Sequence, residues 1–444
     1  MISFNGGTAI DKGCSLEYKR WMEETAARAD KKTFFNISSF QALAMFRRGL
    51  FYSYLSIYIR FFLGLSVTET TLFATIPMIL SILFQTFVWG GLSDRYQKRR
   101  TLIIIGEVLA AIGTFLVWFL HTLPATGYGR GYIIIIGFSV VEIFWSMSNI
   151  GWTALISDLY PEEMRTQIQG KLLSIGAGGR IIGVWIGGLV YDGMARFYEG
   201  WGFDKGWLFF IAAGVMVVST IPIFFISEGG ISTPEEKRKS RMMVESAVTY
   251  SKKFIYFLLA MVFINFGRNS IAIIKTQYLA LDEGFNVSSN LLSYVVNMQS
   301  VAILLGGLIV VPLARRIRDE TLLVVGAVVG IGYLLGFAVA KILHLLFLSN
   351  FLGGFSDVMI RAASYTYASR LIPAEYRGRQ FALYNATFFL SWGVGATLIA
   401  GPIVDLLIRS GAGQVFSYQM SFLSAATLVL IGLIVLLFAN RMKG

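Results

Sequence analysis

Residues 90–100 read GGLSDRYQKRR, between TTLFATIPMILSILFQTFVW (70–89) and TLIIIGEVLAAIGTFLVWFL (101–120). Each flanking run has the roughly twenty apolar residues needed to cross the hydrocarbon of a bilayer as a helix. The eleven residues between them hold four cations (Arg95, Lys98, Arg99, Arg100), one carboxylate (Asp94) and the pair Gly90-Gly91. A turn between two spans needs polarity but neither the glycines nor the acid. The stretch is therefore a topological anchor, a moving part, or both.

The rest of the chain fixes the class. Of its 444 residues 55% are hydrophobic and 14% charged, and the mean hydropathy is +0.65. Repeated apolar runs without the period-two alternation of a membrane barrel mean an all-α integral membrane protein. Twelve spans are expected, at 39–63, 70–92, 101–122, 131–158, 168–192, 206–227, 253–281, 288–313, 320–341, 343–369, 378–408 and 416–440. The net charge of +12 would suggest nucleic acid in a soluble protein, but here it follows the loops. Arg95, Lys98, Arg99, Arg100, Arg165, Lys237, Arg238, Lys239, Arg241, Lys252, Lys253, Arg315, Arg316, Arg318, Arg377 and Arg379 fall on one side. Arg130, Arg196, Lys205, Lys341 and Arg409 fall on the other. Positive charge marks the cytoplasmic face, so both termini are expected in the cytoplasm of a cell whose plasma membrane holds the protein. Anionic headgroups are the expected partner of the basic face; no nucleic-acid motif appears.

One cysteine, Cys14, excludes an internal disulfide framework, and two histidines near span ends make no metal site. No cofactor motif appears. Residues 1–38 read as a cytoplasmic tail without a signal sequence, either a short surface helix or loosely ordered chain. Ser38 and Gln41 have the spacing of a capping box, so a helix is expected to start there.

The chain repeats itself. ISDLYPEEMR (156–165) returns as ASRLIPAEYR (368–377), an offset of 212 that also relates Gly183 to Gly395. Earlier in each half the offset is 220, relating Phe46 to Phe266, Arg48 to Arg268, Tyr58 to Tyr278, Gly64 to Gly284 and Val67 to Val287. Two parallel six-helix repeats follow, 39–227 and 253–444, joined by a charged linker at 228–252. Transporters built this way bind substrate between the halves near the midplane, and a chain carrying both halves is expected to work as a monomer.

With Gly90, Asp94, Arg95, Lys98 and Arg99 in place, GGLSDRYQKR resembles the signature of the major facilitator superfamily between spans two and three. Gln97 stands where the family usually has glycine. The resemblance, over residues 40–440, implies that this loop is a cytoplasmic latch whose carboxylate meets the positive end of a helix in the other half. The second half keeps the cations in PLARRIRDE (312–320) but not the glycine or aspartate. Span five carries Gly170, Gly179, Gly183, Gly187 and Gly188, which partly resembles the glycine motif of the family's drug:proton antiporters, with Val184 where a proline is usual. Such glycines also serve close helix packing on their own.

Charges inside spans cost about 2.5–3.5 kcal/mol each at a helix centre and call for a reason. Glu142 and Arg180 lie nineteen residues either side of Pro161, which puts them at one depth and suggests a buried pair. Asp357 and Arg361 share a helix face at i,i+4. Asn265, Arg268 and Lys275 form a stripe on span seven without an acid on that helix, and Arg48 and Tyr52 share a face of span one; these five are the candidate cavity. Arg48 and Arg268, at equivalent depths about 24 Å from the far helix ends, would face one another. That arrangement is similar to the one in organophosphate:phosphate antiporters and suits an anion. The aromatics of span one (Phe46, Phe51, Tyr52, Tyr54, Tyr58) suit an apolar drug-like solute instead. Glu142 and Asp357 are the candidate proton carriers.

No catalytic constellation or nucleotide-binding domain is present, and a channel needs no two-half latch. The expected function is secondary active transport of a small organic solute, proton-coupled, with drug or metabolite efflux one form. Exchange of organic anions or phosphate esters through Arg48 and Arg268 is the alternative, and a non-transporting sensor a third reading.

Overall fold

The computed structural model describes residues 9–160, 162–194, 197–229, 250–314, 316–372 and 377–442; the side chains of 9–30, 94, 162–167, 311–312, 314, 377–379 and 382 are not described. Every regular element among those residues is a helix, and none is a strand. Eleven helices are long and apolar enough to cross a bilayer. The twelfth span is the C-terminal part of a helix running Ala9–Ile57 and a π-helical turn Tyr58–Phe62, less apolar because Arg47 and Arg48 stand in its middle. This helix does not start at Ser38. Its hydrogen-bonded ladder runs through that position, and neighbouring Ser39 donates back to the Phe35 carbonyl (2.9 Å) as hydroxyls inside helices do.

Span two comprises Val67–Phe84, a π turn Gln85–Trp89 and Gly90–Tyr96. Its start carries a capping box, with Ser66 and Glu69 bonding each other's backbone N–H at 3.2 and 2.9 Å. The other spans are three, Arg99–His121; four, Gly127–Leu159; five, Glu162–Tyr191; six, Trp207–Phe224; eight, Ser289–Ala314; nine, Asp319–Val339; ten, Leu343–Leu371; and twelve, Gln414–Arg441. Span eleven is Arg377–Gly395, a π turn Ala396–Ala400 and Gly401–Arg409. Span seven is broken, Lys252–Ser270 then Ile274–Ala280.

Packing repeats as the sequence does. Span one lies on five and six, three on four and six, and two on four; seven lies on eleven and twelve, nine on ten and twelve, and eight on ten. Between the halves span two meets eleven, five meets eight, and one meets seven, as a pseudo-twofold axis requires. Ser56 and Thr276, equivalent at the offset of 220, meet each other with hydroxyls 2.9 Å apart. Only positions on such an axis meet their own equivalents.

The glycines of span five explain its contact with span one. A Cβ on Gly179, Gly183 or Gly187 would run into the carbonyl oxygens of Ala42, Phe46 and Leu50. Both sets are spaced by four, so two helix ridges pass at backbone distance. Gly188 faces the Ser289 carbonyl of span eight, whereas Gly170 has open space around it.

Candidate functional site

We call the side bearing the termini the tail side and the opposite one the far side. All side-chain hydrogen bonds between the halves, among the described residues, run from mid-depth to the far side. Asp405 of span eleven accepts from the backbone N–H of Val67 (3.0 Å) and Thr68 (2.7 Å) at the start of span two. Thr397 bonds Thr71 (2.7 Å) and Thr75 (2.6 Å). On the other seam Ser289 donates to Asp192 (2.7 Å), Tyr54, which also donates to Val184 of its own half (2.9 Å), reaches the Ser289 carbonyl (3.3 Å), and Asn297 donates to the Ile181 carbonyl (3.0 Å). The far side is closed.

Below that closure, between the second half and span five, lies a cavity of about 50 Å³, lined by Arg180, Arg268, Lys275, Gln299, Tyr333 and Asp357 among others. Spans seven to eleven build it, and Arg180 of span five completes its wall. Asp357 of span ten forms an ion pair with Arg268 of span seven and holds Arg361, one turn on, at 2.9 Å, the i,i+4 pair expected from spacing. Asn265 orients Arg268 (3.2 Å) and is itself bonded to Thr387 of span eleven (3.0 Å). The break after Ser270 means that Arg268 and Lys275 do not share one continuous helical stripe; the turn carries Lys275 to the same cavity by another route. There its ammonium donates to Gln299 (2.6 Å) and Asn350 (3.3 Å). Arg361 is also 4.2 Å from the centre of the Phe388 ring, a cation–π distance.

Arg180 is the departure from expectation. It does not pair with Glu142. Its guanidinium reaches across the seam to Ser300 of span eight (3.1 Å), and Asp357 and Arg361 are the charges that act on it. Spans four and five follow each other in sequence but touch little, so equal depth does not bring their residues together. Glu142 instead has Ser81 of span two as its hydrogen-bonding neighbour and Arg48, Arg47 and Glu107 as its charged ones.

Arg48 and Tyr52 do not line the cavity, so Arg48 and Arg268 do not face one another across it. Tyr52 stacks on Phe73. Arg48 and Arg47 both stand against the Trp145 ring, at 4.3 and 4.4 Å. Glu107, 2% exposed, accepts from Trp145 (2.9 Å) and Ser148 (2.8 Å) and lies 3.7 Å from Arg47. Sequence reasoning passed over Arg47, Glu107 and Trp145, although an acid inside TLIIIGEVLAAIG was itself the signal.

In the loop that opened the sequence reading, the Asp94 side chain lies outside the described residues. Gly90 begins the last helical segment of span two, and Arg95 and Lys98 are exposed. Arg99 is buried: it donates to Ser93, Oγ at 2.5 Å, and pairs with Asp158 at the end of span four (3.3 Å). Arg100 holds Glu228 beyond span six (3.0 Å). Gln97, at the glycine position, is left-handed with φ 53°, the conformation glycine adopts without strain.

Residues 37–396 and, in a second alignment, 257–443 match the family model described as Major Facilitator Superfamily. Among solved structures the chain is similar to a bacterial homologue of the human lysosomal transporter Spinster, in an inward-facing and unoccupied conformation (TM-score 0.67, 14% identity, covering 93% of this chain and 97% of that one). It is similar also to the nucleoside transporter NupG (0.67, 12%, 93% and 100%) and to a POT family transporter in complex with a thioalcohol-conjugated peptide (0.66, 15%, 93% and 97%). At these identities the likeness is one of fold. No curated protein sequence matches the chain.

Proposed function

Because the chain belongs to the Major Facilitator Superfamily and is a multi-pass membrane transporter, we propose that its solute is a small organic anion, moved by alternating access. One observation carries this reading. Arg180, Arg268, Lys275 and Arg361 gather about a single carboxylate, Asp357, at mid-span. Cations at that depth are costly unless neutralised, and an anionic solute supplies the missing charge. Arg180 belongs to the first half and the other cations to the second, so a bound anion touches both moving bodies. A lipophilic cation would meet repulsion at the same place. In this reading the tail side faces the cytoplasm, where its basic loops meet anionic headgroups, one chain suffices as a monomer, and Asp94 is the tail-side latch.

The test uses purified full-length protein. Thermal shift is read against carboxylates, phosphate and sulfate esters, neutral solutes and lipophilic cations, followed by uptake into liposomes with and without a pH gradient. Anions should stabilise, and Arg268→Gln should weaken their binding about tenfold or more, since a charge-assisted hydrogen bond is worth about 1.5–3 kcal/mol. Stabilisation by lipophilic cations alone would refute the anion reading.

Proton coupling is supported at Glu142 rather than Asp357. Asp357 is held by two arginines, whereas Glu142 makes no ion pair among the described residues. Glu142→Gln should exchange solute yet lose the response to a pH gradient; unchanged gradient-driven accumulation would remove Glu142 from that role.

A further inference from the structure

The cavity is lined by three cations, Arg180, Arg268 and Lys275, and one carboxylate, Asp357, an excess of two positive charges; Arg361, its side chain 40% exposed, holds Asp357 from outside the lining. The acids of the first half do not reduce that excess. Glu107 and Glu142 stand with Arg47 and Arg48 in a separate cluster whose charges balance. Among the described residues Asp357 is the sole carboxylate acting on Arg180 and on Lys275, and it is already shared between Arg268 and Arg361. Arg268, Lys275 and Asp357 are 7%, 5% and 7% exposed, so bulk water does not screen them. Arg268 Nη2 is buried without a hydrogen-bond partner, a state that costs stability and is relieved when a counter-charge arrives. Neutral partners do not relieve it: Gln299, Asn350 and Ser300 accept single hydrogen bonds and bring no charge.

We infer that this cavity selects solutes carrying two negative charges, and that Arg180 is the residue that sets the preference. The inference rests on the organic-anion reading and narrows it. A monoanion leaves an excess of one charge inside the bilayer; a dianion leaves none. Among the described residues Arg180 is the one cation of the lining contributed by the first half, hydrogen-bonded to Ser300 of the second. Its charge joins the group across the seam between the halves, so the demand for a second negative charge arises from both halves together. Two chemistries supply such a solute, a phosphate monoester or a dicarboxylate.

The experiment compares ions of similar shape and different charge on the purified full-length chain by titration calorimetry. Methyl phosphate is measured against methyl sulfate, and malonate against acetate, at about pH 7.5, where a phosphate monoester with a second pKa near 6 is doubly charged. At least one dianion should bind about tenfold or more tighter than its monoanionic counterpart. Methyl phosphate alone showing the advantage assigns a phosphoryl group, malonate alone a dicarboxylate, and both assign charge irrespective of shape. Arg180→Gln should remove most of the advantage while Arg180→Lys keeps it, which separates charge from folding. Equal binding within each pair would overturn the inference and leave the organic-anion reading in place. Binding of none of the four would overturn both. An advantage that survives Arg180→Gln would overturn the role of Arg180.

Discussion

Asp158 and Arg370 are equivalent positions of the two halves, at the offset of 212, and their ion-pair partners Arg99 and Asp319 are equivalent at 220. The pair is 3.3 Å long in the first half and 2.9 Å in the second, with its charges exchanged. Geometry has been kept through the repeat while polarity has been reversed. Arg99→Asp should therefore cost about 2–3 kcal/mol, between the values for surface and buried pairs. Arg99→Asp with Asp158→Arg should recover about half of that, since the bonds from Arg99 to Ser93 are not rebuilt. Thermal unfolding of the two single variants and the double variant in one detergent provides the measurement; a double variant no better than the singles would show that the pair is not interchangeable.

Gly183 sits where any side chain would strike the Phe46 carbonyl, and Gly170 sits in open space. Gly183→Ala should destabilise by about 1–3 kcal/mol, the range for overpacking. Gly170→Ala should be neutral or slightly stabilising, because alanine favours the helix. Melting temperatures decide it, and similar losses at both sites would mean that contact with span one is not what the glycines serve.

The far-side closure should depend on Asp405. Asp405→Ala removes two charge-assisted hydrogen bonds to the backbone of span two and should favour the far-open state by about 1.5–3 kcal/mol per bond at most. With Cys14 replaced and Thr71→Cys introduced, a membrane-impermeant maleimide added from the far side should label the variant about tenfold or more faster than its Asp405 parent. Equal labelling rates would place the gate elsewhere.

Asp204, in the far-side turn between spans five and six, is a pH-dependent support. Burial alone would raise its carboxyl, but bonds from Tyr198 (2.6 Å) and Arg130 (2.5 Å) hold it below its usual range. A depressed carboxyl contributes stability that is complete above its unfolded pKa of about 3.9 and is lost as pH falls through the lower folded value. Wild type should exceed Asp204→Asn by about 1 kcal/mol above roughly pH 5, with the gap closing below roughly pH 4. A gap that stays constant across that range would contradict the assignment.

Spans and repeat were readable because hydropathy and the offsets of 212 and 220 are properties of the chain itself. The pair Asp357–Arg361 and the presence of Arg268 and Lys275 were readable for the same local reason. Arg180 was not, because counting from Pro161 gives its depth but not its direction, and the direction is set by the seam with span eight. Arg99 looked like a topological cation because Asp158, its partner, lies a whole helix pair away. Asp405 gave no signal: an acid near a loop is ordinary, and only the packing of spans two and eleven turns it toward the first peptide groups of span two.

The acid of that gate grips peptide N–H groups, not side chains. Every residue except proline offers such a donor, so substitutions at Val67 or Thr68 that preserve the helix leave the grip intact. Mutational drift at those two positions is thus largely silent for this grip, and drift at position 405 is not. A designer wishing to loosen this grip has its handle on span eleven at position 405, and the matching change on span two is a proline that deletes the donor.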